Sequence, residues 1–150
     1  MSIFKFRLAA LLQLRAATRD ERRAALAEGY RVDDVLRRNL EAAAGEIELL
    51  HQRRRTIATA GAVNVDQLVE SQRYELVVKQ REAQLVRQRQ GVAAEIQRRR
   101  EALVEADREV RVLEKLRDRQ AEQYRRGEEC KEAKRLDEVA LQQALREAVA

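Results

Sequence analysis

Alternating steps of three and four along the second half of the chain select Val78, Glu82, Leu85, Arg89, Val92, Ile96, Arg99, Leu103, Ala106, Val110 and Leu113. Most of these are apolar, and the pattern holds for about five heptads, the spacing of a helix that buries one narrow stripe against another helix. The first half repeats it with Leu36, Leu40, Ala43, Ile47, Leu50, Arg54 and Ile57. Ahead of Leu36 the pattern loosens, and Leu26, Tyr30 and Val32 compete for the stripe. Arg89 and Arg99 fall on the stripe itself, where their alkyl stems can cross the interface while the charge reaches water.

One segment interrupts the periodicity. Thr59-Ala60-Gly61-Ala62-Val63-Asn64-Val65-Asp66 carries no charge until its last residue. Gly61 suits the left-handed conformation that ends a helix. Asn64 or Asp66 can accept hydrogen bonds from the first amides of the next helix, and Gln67 stands three residues after Asn64, as a capping box requires. The expectation is an all-α chain forming one antiparallel two-helix coiled-coil hairpin over 1–150. Helix 1 covers about 7–58, the turn about 59–65 and helix 2 about 66–148. A short connection between long helices makes them antiparallel.

The helices are unequal. Folding at Gly61 and Ala62 sets Leu8 beside residue 116, so everything past about Arg117 lacks a partner in helix 1. A protruding tail of roughly 30 residues would extend roughly 45 Å at 1.5 Å per residue. Leu136, Val139, Leu141, Leu145 and Val149 still place apolar groups on it. Such a stretch is a partner-binding element or a fraying end.

Composition sharpens this picture. The chain has no Pro, no Trp, five Gly, 3% aromatic and 38% charged residues, with 45% hydrophobic. Few large side chains are available for a wide core, yet the apolar content is too high for a disordered segment. The net charge of +5 comes from 31 basic and 26 acidic residues. The signs are mostly mixed, as on a solvated helix face with local ion pairs. Arg53-Arg54-Arg55 and Arg98-Arg99-Arg100 are exceptions, but no aromatic residue lies among them to stack on bases, so nucleic acid is not expected as a partner. No stretch approaches the ~20 apolar residues that span a bilayer.

Chemistry-bearing motifs are missing. The glycines at 29, 45, 61, 91 and 127 are scattered, so no phosphate-cradling loop is formed. His51 is the single histidine and Cys130 the single cysteine. A two-helix hairpin offers no concave pocket in which to desolvate a carboxylate. No enzymatic activity, small-molecule substrate, cofactor or metal is expected.

The C-terminal region carries a resemblance. Lys115-Leu116-Arg117-Asp118-Arg119-Gln120, then Tyr124-Arg125, then Glu132-Ala133-Lys134-Arg135-Leu136-Asp137-Glu138 looks like the closing signature of the flagellar FliJ family. Phe4-Lys5-Phe6-Arg7-Leu8 and Leu11-Leu12-Gln13-Leu14-Arg15 resemble its beginning. Length, helical character and the mid-chain turn agree, so the resemblance spans the chain. It implies a non-enzymatic part of the flagellar type III export apparatus: a central stalk of the hexameric export ATPase, linked to the export gate membrane protein and escorting export chaperones. It also implies a cytoplasmic place at the inner face of the inner membrane. For the gate, the resemblance points to Leu50, His51, Tyr74, Val78 and Leu85, although Val78 and Leu85 also lie on the stripe. For the ATPase, the candidates are Phe4, Phe6, Leu8, Arg117, Arg119, Arg125, Leu136 and Glu138. Three alternatives stay open: an injectisome stalk of the same type, a basic coiled-coil nucleic-acid binder, and a coiled-coil scaffold in which the tail pairs with itself.

Overall fold

The computed structural model describes residues 3–59, 61 and 64–149. Helix α1 spans Ala9–Thr59 and helix α2 spans Val65–Val149, of 51 and 85 residues, and no strand occurs among the described residues. The fold is all-α, with the two long helices packed against each other. The chain divides into two compact units, one of residues 21–104 and one of residues 1–20 with 105–150.

In the 21–104 unit the helices run antiparallel on either side of the turn. Gly61 has φ of +77°, a conformation that costs a side chain with a Cβ but not glycine. Ala60, Ala62 and Val63 of the expected turn lie outside the described residues. At the end of α1, the Thr59 hydroxyl shares its hydrogen between the carbonyls of Arg55 and Thr56, each at 3.0 Å, and Thr56 is one of the last four carbonyls, which a helix leaves without an amide partner. Asn64, not Asp66, caps α2. Its Oδ1 accepts from the amides of Asp66 at 3.1 Å and Gln67 at 3.3 Å.

The stripe becomes the core. Ala43, Leu50, Val78 and Ile96 are buried, and the remaining expected seam positions of this unit are half-buried. Two features of the seam differ from expectation. Ahead of Leu36 it passes through Leu26, Gly29 and Asp33, while Tyr30 and Val32 are exposed. Gly29 is buried, and a Cβ built on it would stand 3.1 Å from Ile96 Cγ1. The absent side chain lets the helices approach, and a search for large apolar residues passes over it. The second difference concerns the arginines. Arg89 Nε donates to Asp33 Oδ1 at 2.8 Å and Arg99 Nη1 to the Ala25 carbonyl at 2.5 Å. Both heads make specific bonds across the seam rather than only reaching water.

In the second unit, Ala106 and Val110 are the buried residues of α2. Arg15 pairs with Glu109 at 3.0 Å, the register expected from folding at Gly61. The unpaired part of α2, however, begins later than Arg117. The Phe4 ring lies against Tyr124, centroids 5.8 Å apart. Residues 3–6 are not helical, and extended chain advances ~3.3 Å per residue against 1.5 Å in a helix, so a few residues reach much further along α2. From 129 to 149 every residue of α2 is exposed.

Candidate protein-binding surfaces

The turn-proximal surface is organised by a buried carboxylate. Glu75 lies one heptad step before Val78 and is only 8% exposed. A charge there must be paired to be tolerated. Lys79 Nζ stands 2.7 Å from Glu75 Oε1, His51 Nε2 3.2 Å from the same oxygen, and Arg54 contacts Glu75 Oε2. The Lys79 hydrogen bond, followed by those of His51 and Arg54, holds the Glu75 carboxyl down at about 2, against burial, which works the other way. Asp33 is shifted in the same direction, chiefly by the hydrogen bond from Arg89. The pairs of Glu75 with His51 and Arg54, and of Asp33 with Arg89, each join a specific point on α1 to one on α2.

The residues expected to meet the gate separate into two kinds. Val78 is fully buried, Leu50 is buried and Leu85 is half-buried, so all three pack in the seam. His51 is half-buried within the Glu75 cluster. Tyr74 alone stands clear, 44% exposed, with its hydroxyl donating to Glu46 Oε1 at 3.3 Å. Arg81 reaches the other oxygen of Glu46 at 3.4 Å. Around the turn, Leu49, Val69, Leu76 and Val77 are exposed apolar residues. Sequence reasoning passed over these because it searched for the stripe, and they lie off it.

In the other unit, the expected ATPase residues fall on two segments. Phe4 and Phe6 are half-buried and Leu8 is just exposed. Arg117 pairs with its neighbour Asp118 at 2.8 Å, and Arg119 and Arg125 are exposed. Leu136 and Glu138 belong to the fully exposed end of α2, together with Val139, Leu141 and Leu145. That end carries helix-local ion pairs such as Lys131 with Glu128 at 2.9 Å, which water screens and which therefore stabilise the helix only weakly.

An open groove of about 500 Å³ runs past Tyr30, Asp33, Leu40, Val86, Arg89 and Arg100. Its two charged arginines are engaged, Arg89 with Asp33 and Arg100 with the Tyr30 hydroxyl at 2.7 Å. Among the described residues, no cluster of three His, Cys, Asp or Glu side chains is placed to hold a metal ion. None of the helices is long and apolar enough to cross a membrane, again among the described residues.

The family model described as "Flagellar FliJ protein" matches residues 4–148. The chain belongs to the FliJ family. Membership makes it a component of flagellar protein export, in a family of non-catalytic components. No curated protein and no solved structure matches the chain. The match takes in both the segment ahead of α1 that carries Phe4 and the exposed end of α2, so neither lies outside the family's own extent.

Proposed function

We propose that this FliJ-family chain is the central stalk of the flagellar export ATPase ring, with the exposed end of α2 inside the ring and the turn-proximal surface meeting the export gate. The observation that carries the first half is the run from 129 to 149. It is helical, exposed throughout, and keeps Leu136, Leu141 and Leu145 at 58–63% exposure. A helix this long without a packing partner is marginal in water and gains most from a protein that covers its apolar positions. Tyr74 with the exposed Leu76 and Val77 supports a second contact near the turn, while Leu50, Val78 and Leu85 act there as scaffold. Arg117, Arg119 and Arg125 steer the end of α2 towards acidic surfaces on the ring. Escort of unloaded export chaperones and a peripheral position at the cytoplasmic face of the inner membrane complete the reading.

The test is stimulation of ATP hydrolysis by the cognate export ATPase on addition of the chain. Ending the chain after Arg126 is expected to abolish stimulation while the paired part stays helical by circular dichroism. Undiminished stimulation by that shortened chain removes the end of α2 from the mechanism.

A further inference from the structure

Residues 3–6 alternate in exposure, with Phe4 and Phe6 half-buried and Ile3 and Lys5 in water. This is the two-residue period of extended chain lying on a surface. The surface is α2. Ala121, Tyr124 and Glu128 are half-buried, while the residues between them are exposed and nothing from 129 onward is covered. Helix α1 cannot supply that cover. In the register of Arg15 with Glu109, the first residue of α1, Ala9, falls roughly at residue 115 of α2, since both helices rise 1.5 Å per residue. Ahead of Ala9 come the turn at Arg7–Leu8 and then residues 3–6, and non-helical chain advances up to about twice as far per residue as a helix, so the segment continues along α2 beyond residue 115. The Phe4–Tyr124 ring contact closes this geometry, with the planes tilted by 45°.

The segment joins α1 through one turn, the Ala9 amide donating to the Phe6 carbonyl at 3.3 Å. Among the described residues it makes no backbone hydrogen bond to α2. The Phe4–Tyr124 ring contact is one of the contacts that lay it down. A segment without a ladder of backbone hydrogen bonds opens at lower free energy than the packed seam that contains Val110.

We propose that residues 3–6 form a reversible strap: closed, it shelters the face of α2 around Tyr124 beneath Phe4 and Phe6; open, it releases all three rings to solvent together. The strap therefore sets how much aromatic surface this end of the unit displays, and a ligand that needs these rings meets them only in the open form. The idea concerns the free chain and does not depend on the ATPase reading.

Incorporating 3-fluorotyrosine into the full-length chain gives one fluorine signal for each of Tyr30, Tyr74 and Tyr124, assigned with Tyr30→Phe and Tyr74→Phe. The Tyr124 signal is expected to carry a ring-current displacement that Phe4→Ala removes and Lys5→Ala leaves in place. In the unaltered chain it is expected to show exchange broadening on the microsecond-to-millisecond scale of segment opening, absent in Phe4→Ala. A soluble paramagnetic probe should relax Tyr124 less than Tyr30 and Tyr74, which are 43% and 44% exposed, and the gap should narrow in Phe4→Ala. A Tyr124 signal indifferent to Phe4→Ala overturns the strap. A displaced signal without exchange shows a fixed cover, and overturns its reversibility.

Discussion

Val78 and Leu145 are both apolar residues of α2, yet Val78 is fully buried and Leu145 is 58% exposed. Within the 21–104 unit, α2 has a partner at every heptad step, and the partner includes charges as well as aliphatic groups. Between 129 and 149 the same helix continues with no partner. The backbone is helical in both places, so local propensity does not distinguish them. Propensity keeps a helix from breaking, whereas the stripe decides which side chains carry folding energy. The comparison predicts a gradient of effects, largest in the seam and smallest at the exposed end.

Val78→Ala should cost the most. Removing two methyl groups from a fully buried site loses their transfer energy and leaves a void, about 2 kcal/mol together. Urea unfolding followed by circular dichroism measures it. A loss under about 0.5 kcal/mol would place Val78 among surface substitutions and contradict its role in the core.

The next effect depends on pH. Glu75 titrates at about 2 in the folded chain against 4.5 ordinarily. A carboxyl with a depressed folded value binds fewer protons folded than unfolded, so its contribution is complete above about pH 4.5 and is lost as pH falls towards about 2. Asp33 acts in the same sense. Thermal midpoints should therefore decline through that acid window. Glu75→Gln should lower stability near neutrality and flatten the decline. If the variant and the unaltered chain lose stability in parallel below pH 4.5, Glu75 is not the group responsible.

Two glycines mark the ends of a smaller range. Gly61→Ala forces a Cβ into a backbone with φ of +77° and should cost about 1–2 kcal/mol. Gly29→Ala gains about 1 kcal/mol of helix propensity, but the new methyl presses on Ile96 Cγ1 at 3.1 Å. The two terms offset, so the net change should be smaller than at Gly61. An equal or larger loss at Gly29 would mean that Ile96 has no room to yield.

Much of this was legible from spacing alone. The stripe from Val78 to Leu113, its counterpart from Leu36 to Ile57, and the break at Gly61 are all written as periodicity and its interruption. What escaped was polar or small. Gly29, Asp33 and Glu75 occupy heptad steps continuous with the visible stripe, but a glycine and two acids carry no hydrophobic signal. Extending the three-and-four spacing backwards from Leu36 and Val78 would have found them. Tyr124 escaped for another reason. Its neighbour Phe4 is not helical, and helical register cannot say where an extended segment will lie. The surface readings were harder still, since Leu76 and Val77 lie off the stripe and carry no periodic signal, and spacing alone cannot say that an apolar residue stays exposed.

The smallest expected effect on stability is at the exposed end. Leu136→Ala with Leu145→Ala removes side chains that are 60% and 58% exposed, so little burial is lost, and alanine is the better helix former by a few tenths of a kcal/mol. Their combined effect on unfolding should stay within about 0.5 kcal/mol. Stimulation of the export ATPase should nevertheless fall, because residues that contribute nothing to the fold remain free to contribute to a complex. The two measurements separate the alternatives. Loss of stability would show that the stretch packs against something within the chain or a second copy. Unchanged stability with unchanged stimulation would leave these leucines without a role in the ring, and the contrast with Val78 would then be one of exposure alone.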